Sequence, residues 1–283
     1  MTPLHPDHQA LIDVYAKHPL REETILARIE RQRGTLDGIT EIDLAHDTVD
    51  EITDQNHIGS LPAVVQLALR ARITTASHVL DLGAGLGGSA RCLAYLFGCR
   101  VDGVELSPLR SAEANRLTVR VGLDELVTCR SGDLLSVDIP AGRYDVVWGQ
   151  SAWNHIADSA ALFDRAAGAL LPNGRIAFED ASLVGVPSND ADAAALAELE
   201  RLWGGTLRSV ETWQAAYAAA GFQTIAIDDL TPDFLRYYER LRAIAGRAGV
   251  VAYPAHETRA FDQAISLAGS GVIGYSRFVA ARG

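Results

Sequence analysis

Short apolar runs rich in β-branched residues alternate with longer stretches of helical periodicity in the middle of the chain. Residues 78–82 and 101–106 are typical of buried strands, and residues 89–97 between them have the apolar spacing of a helix. The same alternation continues through strand-like runs at 126–131, 144–148 and 174–178 and helix-like stretches at 109–121 and 160–171. Because strands that are joined through helices pair in parallel, the pattern predicts a doubly wound α/β sheet.

The regions before and after this alternation have a different pattern. Residues 8–60 are polar and amphipathic, with apolar positions at helical spacing, and predict helices that cover the domain. A further helix opens at Ser60, where Pro62 lies in the first turn and its missing N–H removes no hydrogen bond. After Asp180 the regularity loosens into helical stretches at 192–203, 210–220 and 232–247 and strands at 222–227 and 271–281.

These patterns divide the chain into two parts. We predict an N-terminal helical cap or lid over residues 1–60 and one catalytic domain over residues 61–283. Helices are inserted into that domain near residues 185–220 and 230–268. We expect substrate selectivity to reside in these inserts, because connecting segments between the elements of a rigid scaffold carry binding residues.

Hydrophobic content and net charge indicate which kinds of partner the protein binds. Hydrophobic residues make up 48% of the 283-residue chain, and no apolar run approaches the ~18 residues of a membrane span. The first residues lack a signal-peptide pattern, so we expect a cytoplasmic protein with no membrane partner. A net charge of -11 argues against nucleic acid, which is itself polyanionic, and favours a small-molecule substrate. Assembly into a homo-oligomer is left open.

The cysteines predict no disulfide framework and no thiolate metal site. Cys92, Cys99 and Cys129 are odd in number, lack C-x-x-C spacing and stand in apolar surroundings. No metal-ligand motif is present elsewhere in the sequence, and we predict no metal, although a site of bridging carboxylates is left open.

A glycine-rich turn follows the first predicted strand. Gly83, Gly85 and Gly88 let the backbone approach a ligand closely, and they also satisfy the dinucleotide pattern G-x-G-x-x-G. Asp81 separates the two interpretations, because a carboxylate beside the turn opposes a pyrophosphate but suits a cationic cofactor. S-adenosylmethionine carries an ammonium and a sulfonium and no phosphate, so it fits this turn better.

Two further acids end the next two strands. Glu105 lies 20 residues after Gly85, where a carboxylate can accept hydrogen bonds from both hydroxyls of a ribose. Asp133 follows the third strand, where its oxygens can meet an adenine amino group. Three acids at three successive strand ends therefore predict a nucleoside site.

These motifs resemble those of class I S-adenosylmethionine-dependent methyltransferases, and the resemblance spans roughly residues 60–182. It rests on residues 79–89, 104–107, 132–134 and 170–177. The resemblance implies a seven-stranded Rossmann-like sheet whose last strand runs antiparallel. It also implies that the loop from Asp81 to Gly85 holds the methionine moiety of the cofactor, Glu105 the ribose, and Asp133 with Leu134 the adenine.

Two more segments are similar to the sarcosine/dimethylglycine, tocopherol and prenyl-diphosphate methyltransferases. They are residues 54–59, before the first core helix, and residues 149–158, after the fourth strand. Ser151 departs from the acidic residue of the amino-acid N-methyltransferases, which favours natural-product methylation over a glycine-like amine. The cofactor-binding residues that we predict are Gln55, Asp81, Gly83, Ala84, Gly85, Glu105, Leu106, Ser107, Asp133, Leu134 and Gln150.

Three titratable residues at predicted strand ends are candidates for the catalytic base. His155 lies five residues after Gln150, and histidine is a residue type that can act as a general base near neutral pH. Glu179 and Asp180 end the fifth strand, where the period of two allows only one of them to face the ligand crevice. A structural role is the alternative for each of the three.

Aromatic residues provide a further open question. They can form a wall against a cationic or planar substrate or belong to the ordinary core, and they are Trp153, Trp203, Trp213, Tyr237 and Tyr238. The sequence thus predicts methyl transfer to a nitrogen, carbon or oxygen of a small molecule. The alternatives are a nicotinamide oxidoreductase, which Asp81 opposes, and a cyclase or non-catalytic partner with the same fold.

Overall fold

The computed structural model describes residues 6–245, 247 and 252–283. Its centre is one sheet with the order β3-β2-β1-β4-β5-β8-β7, and the short β6 pairs with the end of β5. The strands are β1 His78–Leu82, β2 Arg100–Glu105, β3 Val127–Ser131, β4 Tyr144–Gln150, β5 Leu170–Leu183, β6 Arg208–Ser209, β7 Phe222–Asp229 and β8 Ile273–Arg282. The doubly wound sheet predicted from the sequence is confirmed.

The last strand runs antiparallel to both of its neighbours, as predicted. β8 lies between β5 and β7 and pairs with each over most of its length. The described residues contain eight strands where seven were expected, because the two-residue β6 pairs in parallel with Ser182 and Leu183. β5 also continues to Leu183, beyond its predicted end at Asp180, because β8 pairs with this extension.

Helices cover both faces of the sheet and the edge at which the parallel strands end. They are α1 Pro6–Ala16, α2 Glu22–Arg33, α3 Glu41–Ala45, α4 Ser60–Ala71, α5 Gly88–Phe97, α6 Pro108–Arg120, α7 Ser159–Ala169, α8 Asp190–Trp203, α9 Val210–Ala219, α10 Thr231–Ile244 and α11 Ala255–Gly269. None of the helices in the described part of the chain is long and apolar enough to span a bilayer.

The N-terminal region is less helical than predicted, since residues 46–59 contain no helix. Asp47 explains the break, because its carboxylate accepts hydrogen bonds from the backbone N–H groups of Val49 and Ile52. Such local bonds offer the backbone an alternative to the helix. The irregular segment carries residues 54–57 to the edge of the sheet where β1 and β4 end.

A buried arginine fixes this irregular segment to the sheet. Arg91 on α5 is fully buried, and its guanidinium donates to Glu41 Oε2 at 2.8 Å and to Asp54 Oδ2 at 2.5 Å. Both carboxylates come from the N-terminal region, so Arg91 connects that region to the helix that follows the glycine-rich turn. Removing one partner of such a buried pair leaves an uncompensated charge and is strongly destabilising.

Candidate active site

A first cavity of about 990 Å³ lies at the carboxyl ends of the central strands. Its lining combines the turn after β1, the ends of β2 and β4, the loop after β3 and one face of α1. It includes ten of the predicted cofactor residues: Asp81, Gly83, Ala84, Gly85, Glu105, Leu106, Ser107, Asp133, Leu134 and Gln150. The structure therefore brings almost all of this predicted set together.

The glycine-rich turn is held in a left-handed conformation against β2. Gly83 has a φ of 93°, and a Cβ at this position would lie 2.5 Å from the Cβ of Ala152. The N–H groups of Gly83 and Ala84 both donate to the carbonyl of Val104. A residue without a side chain is required here because both the backbone angle and the available space exclude one.

Asp81 presents a buried carboxylate to this cavity. Its Oδ2 atom has no hydrogen-bond partner among the described residues, and only 2% of the residue is exposed. Burial, together with the nearby charge of Glu105, raises the pKa of Asp81 from 3.8 to about 7. An unpaired buried oxygen of this kind is costly unless a ligand supplies a cation or a donor.

Glu105 and Asp133 are fixed by backbone groups. Glu105 accepts the N–H of Gly85 and the N–H of Ser107, each at 2.9 Å, one on each carboxylate oxygen. Asp133 accepts the N–H of Leu135 at 2.9 Å and forms a turn. These contacts hold both carboxylates at the cavity wall, and each oxygen of Glu105 keeps a second lone pair for a ligand hydroxyl.

Gln150 belongs to a buried chain of hydrogen bonds. Its amide oxygen accepts from Ser89 Oγ at 2.8 Å, and its amide nitrogen donates to Glu179 Oε2 at 2.9 Å. The other oxygen of Glu179 accepts from Arg277 Nε at 2.6 Å. Glu179 therefore lies behind Gln150, lines neither cavity and has both oxygens occupied, so its place in the structure is that of a support for Gln150.

Gln55 also lies behind the cavity lining. Its side chain forms hydrogen bonds with Asp54 and with Nε2 of His57, while Asp54, Asn56 and His57 themselves line the first cavity. Burial lowers the pKa of His57 to about 4, so its imidazole is neutral at physiological pH. A direct contact between Gln55 and the cofactor stays a prediction.

A second cavity of about 1150 Å³ adjoins the first. Five residues line both cavities and form their junction: Tyr15, Asn56, His57, Ser151 and His155. The remaining wall comes mainly from α8, α10 and α11, with smaller parts from β5 and β8, and is rich in aromatic side chains. We call this second space the acceptor cavity and the first the cofactor cavity.

The aromatic residues that the sequence left open divide between core and cavity. Trp153 and Trp213 are fully buried and pack on Phe178, at ring-centroid distances of 4.5 and 5.4 Å. Trp203, Tyr237 and Tyr238 instead line the acceptor cavity. Helical periodicity could not separate the two groups, because it identifies an inward face without saying whether that face meets core or cavity.

His155 lies at the junction with both ring nitrogens engaged. Nδ1 is 3.1 Å from the carbonyl oxygen of Gly204, which can only accept, so Nδ1 carries the proton of the neutral ring. Nε2 then accepts from the hydroxyl of Tyr15 at 3.0 Å. Burial raises the pKa of Tyr15 to about 12, so the phenol stays protonated at neutral pH. Tyr15 is a site residue that the sequence analysis missed, since its position shows only the helical spacing of α1.

Asp180 lines the acceptor cavity but uses its carboxylate internally. Oδ2 accepts the N–H groups of Trp153 and Asn154 at 2.8 and 3.0 Å, and Oδ1 accepts from the Asn154 side chain and the Ala181 N–H. These four bonds fix the loop that carries Ser151 and His155. Despite them, burial raises the pKa of Asp180.

No metal centre is visible in the described residues. They contain no group of three or more His, Cys, Asp or Glu side chains that could hold an ion. Three carboxylates of the candidate site have protein partners instead. Glu105 and Asp180 accept hydrogen bonds from backbone N–H groups, and Glu179 forms an ion pair with Arg277.

Comparison with known proteins identifies the domain. Residues 80–178 match the family model described as a methyltransferase domain. Glycine/sarcosine/dimethylglycine N-methyltransferase from Actinopolyspora halophila is 29% identical over 179 residues, which cover 63% of this chain and 31% of that protein. Sarcosine/dimethylglycine N-methyltransferase from Halorhodospira halochloris is 29% identical over 59% of this chain and 58% of its own length. The alignments thus span between a third and somewhat over half of these relatives.

The fold has equally clear solved counterparts. A geranyl diphosphate C-methyltransferase from Streptomyces coelicolor A3(2), solved with Mg²⁺, geranyl diphosphate and S-adenosylhomocysteine, matches with a TM-score of 0.72. The identity is 21%, and the match covers 100% of both chains. Residues 80–178 are thus a methyltransferase domain, and the resemblance to the family of class I S-adenosylmethionine-dependent methyltransferases that the motifs predicted is confirmed. S-adenosylmethionine is the cofactor of this family.

Proposed function

We propose that this protein transfers a methyl group from S-adenosylmethionine to a small-molecule acceptor of specialised metabolism. The observation that carries the proposal is the junction of two cavities, one lined by strand-end carboxylates and the other by aromatic side chains. A reaction between two bound molecules requires such adjacent sites, because holding the partners together supplies much of the rate.

The cofactor cavity fits S-adenosylmethionine in its charge. The unpaired Oδ2 of Asp81 can meet the cationic part of the cofactor, and Glu105 offers lone pairs to the ribose hydroxyls. Asp133 and Leu134 border the place for adenine, and Gln150 forms the wall toward the junction. The same carboxylates oppose a nicotinamide dinucleotide, whose pyrophosphate would lie among negative charges.

When bound, S-adenosylmethionine supplies an electrophilic methyl group. The protein residues at the junction then have to exclude water, orient the acceptor and receive its proton. Tyr15 donates to His155 Nε2, so its own oxygen can accept a hydrogen bond from an acceptor O–H or N–H. As the acceptor loses its proton to Tyr15, the phenol proton passes to Nε2 and leaves an imidazolium. Tyr15 remains neutral throughout, in agreement with its raised pKa.

The other two candidates for the base, Asp180 and Glu179, hold residues of the site in position. Asp180 fixes the loop that positions His155, and Glu179 fixes the amide of Gln150. In this mechanism His155 is the catalytic base, while Asp180 and Glu179 are positioning residues.

Product analysis tests the proposal. The protein is incubated with S-adenosylmethionine and a panel of amines, phenols, indoles and prenyl diphosphates, and the mixture is analysed by mass spectrometry. We expect S-adenosylhomocysteine together with a singly methylated form of one acceptor. Retention of S-adenosylmethionine by the folded protein without methylation of any acceptor class would favour a cyclase or a non-catalytic partner instead.

A further inference from the structure

Among the described residues, those that line the acceptor cavity include no Lys or Arg, and their two carboxylates are Asp180 and Glu257. Asp180 already accepts four hydrogen bonds from the protein, so Glu257 is the carboxylate that remains for a ligand. A permanent cation near the junction is Arg110, which lies over the ring of Tyr15. A phosphate or carboxylate group beside Glu257 would instead lose its hydration next to a like charge.

Glu257 has His18 as an ionic neighbour but accepts no hydrogen bond from the described residues. It lies in the first turn of α11, and its side chain is 16% exposed. The nearest ring nitrogen, Nε2 of His18, is 3.9 Å away, outside hydrogen-bond distance. Burial raises the pKa of Glu257 to about 7 and, with Arg110, lowers that of His18 to about 3, so His18 cannot serve as its cation.

Aromatic rings share the acceptor cavity with this carboxylate. Tyr237, Tyr238 and Tyr253 line the same cavity, and burial together with the charge of Glu257 raises the pKa values of all three phenols. The rings of Tyr237 and Tyr238 are 5.4 Å apart at their centroids, and Phe261 lies 5.7 Å from Tyr238 and 5.2 Å from Tyr253. Neutral electron-rich rings in the same cavity as a partly buried carboxylate form an environment that attracts organic cations.

We infer that the acceptor is a bulky hydrophobic amine whose protonated nitrogen pairs with Glu257 while its apolar part packs among these rings. This inference rests on the proposed function and specifies its substrate class. Because a protonated amine has no free electron pair, the nitrogen beside Glu257 anchors the acceptor, and a different atom at the junction receives the methyl group. The phosphate or carboxylate group of an acceptor, such as a prenyl diphosphate or dimethylglycine, is disfavoured beside Glu257 by repulsion between like charges.

Calorimetry with matched probes tests the inference. The protein is first saturated with S-adenosylhomocysteine, and tryptamine, tryptophol and indole-3-propionic acid are then titrated at pH 8. These three ligands share one ring system and differ in charge. We expect tryptamine to bind at least about 10-fold more tightly than either of the other two, because an ion pair or charge-assisted bond that forms away from water contributes about that factor.

Two glutamate variants locate the effect. Glu257→Gln should weaken tryptamine binding by about 10-fold and leave tryptophol binding within two-fold, because the amide keeps the shape and removes the charge. Glu239→Gln, on the exposed side of the adjacent α10, makes the same charge change and should alter neither. Equal binding of all three probes, no binding of tryptamine, or an unchanged tryptamine affinity in Glu257→Gln overturns the inference. Failure of S-adenosylhomocysteine to bind in the first step instead overturns the proposed function.

Discussion

The cofactor cavity and the acceptor cavity are built in different ways, although they share the residues of the junction. The cofactor cavity uses the ends of consecutive parallel strands, and backbone N–H groups of the loops that follow these strands hold the carboxylates of Glu105 and Asp133. The acceptor cavity is formed by helices that lie far apart in the sequence, from α1 to α11, and by side chains that contact one another. The comparison shows that one half of the site is set by regular backbone geometry and the other by long-range packing. We therefore expect substitutions in different parts of the site to change different quantities: kcat, the free energy of unfolding, or the affinity for a ligand.

The largest expected effect is on turnover at the junction. His155→Asn should lower kcat by roughly 10² to 10⁴, because it removes the group that receives the acceptor proton. Affinity for S-adenosylhomocysteine should stay nearly constant, which separates chemistry from binding. Steady-state kinetics and calorimetry measure the two quantities, and His46→Asn, at an exposed position, is the matched control. If His155→Asn turns over within a few-fold of the parent, His155 is not the catalytic base, and the rate comes from holding the two reactants together.

A stability effect should distinguish Asp180 from His155. Asp180→Asn replaces an acceptor with an amide in a site where the N–H groups of Trp153 and Asn154 both require an acceptor. The free energy of unfolding should fall by about 2 to 4 kcal/mol, since buried donors lose their partners. Urea denaturation of this variant and of the exposed control Asp190→Asn tests the assignment. A variant of unchanged stability that has lost its turnover would instead make Asp180 the catalytic base.

Asp81 should lower the stability of the ligand-free protein and strengthen its binding of the cofactor. In the folded protein the pKa of Asp81 is about 7, above its ordinary value of 3.8. Between these two pH values the folded protein therefore keeps a proton that the unfolded chain has lost, and the free energy of unfolding falls as the pH rises. Asp81→Asn should therefore raise the Tm of the ligand-free protein at pH 8 while weakening S-adenosylmethionine binding by about 10-fold.

The pH dependence of this effect provides its own control. Binding of S-adenosylmethionine to the parent should weaken as the pH falls from 8 to 6, because protonation removes the Asp81 charge, and Asp81→Asn should show a flatter profile. Calorimetry at both pH values measures the difference. A parent profile as flat as that of the variant would show that the charge of Asp81 has no part in binding.

The smallest expected change concerns the N-terminal helices. α1 lines both cavities through Leu11 and Tyr15, whereas α2 and α3 contribute Ile25, Ile29 and Leu44 to a buried cluster. Hydrogen exchange should therefore slow on addition of S-adenosylhomocysteine in residues 8–16 more than in residues 22–45, because a lid orders over its ligand. Identical exchange in residues 8–16 with and without ligand would remove the lid role.

The sequence predicted the cofactor half of the site much better than the acceptor half. Asp81, Glu105 and Asp133 could be placed because the ends of successive parallel strands meet at one edge of a sheet. The sequence did not predict that Tyr15 and Glu257 line the site. Local periodicity gives the apolar face of each helix, but it does not say which helices pack together when more than 200 residues separate them. The short β6 was missed for a related reason, because two residues that pair only with the extension of β5 carry no periodic signal.

Binding of the cofactor to intact and altered protein tests the account most directly. In calorimetric titrations S-adenosylmethionine should bind the parent at one site per chain, and Glu105→Ala should weaken that binding by about 1 to 3 kcal/mol through lost charge-assisted hydrogen bonds. The exposed control Glu125→Ala should bind like the parent, and reduced nicotinamide dinucleotide should give no binding heat. An unchanged affinity in a folded Glu105→Ala variant, or binding of the nicotinamide in place of S-adenosylmethionine, would contradict the assignment of the cofactor cavity.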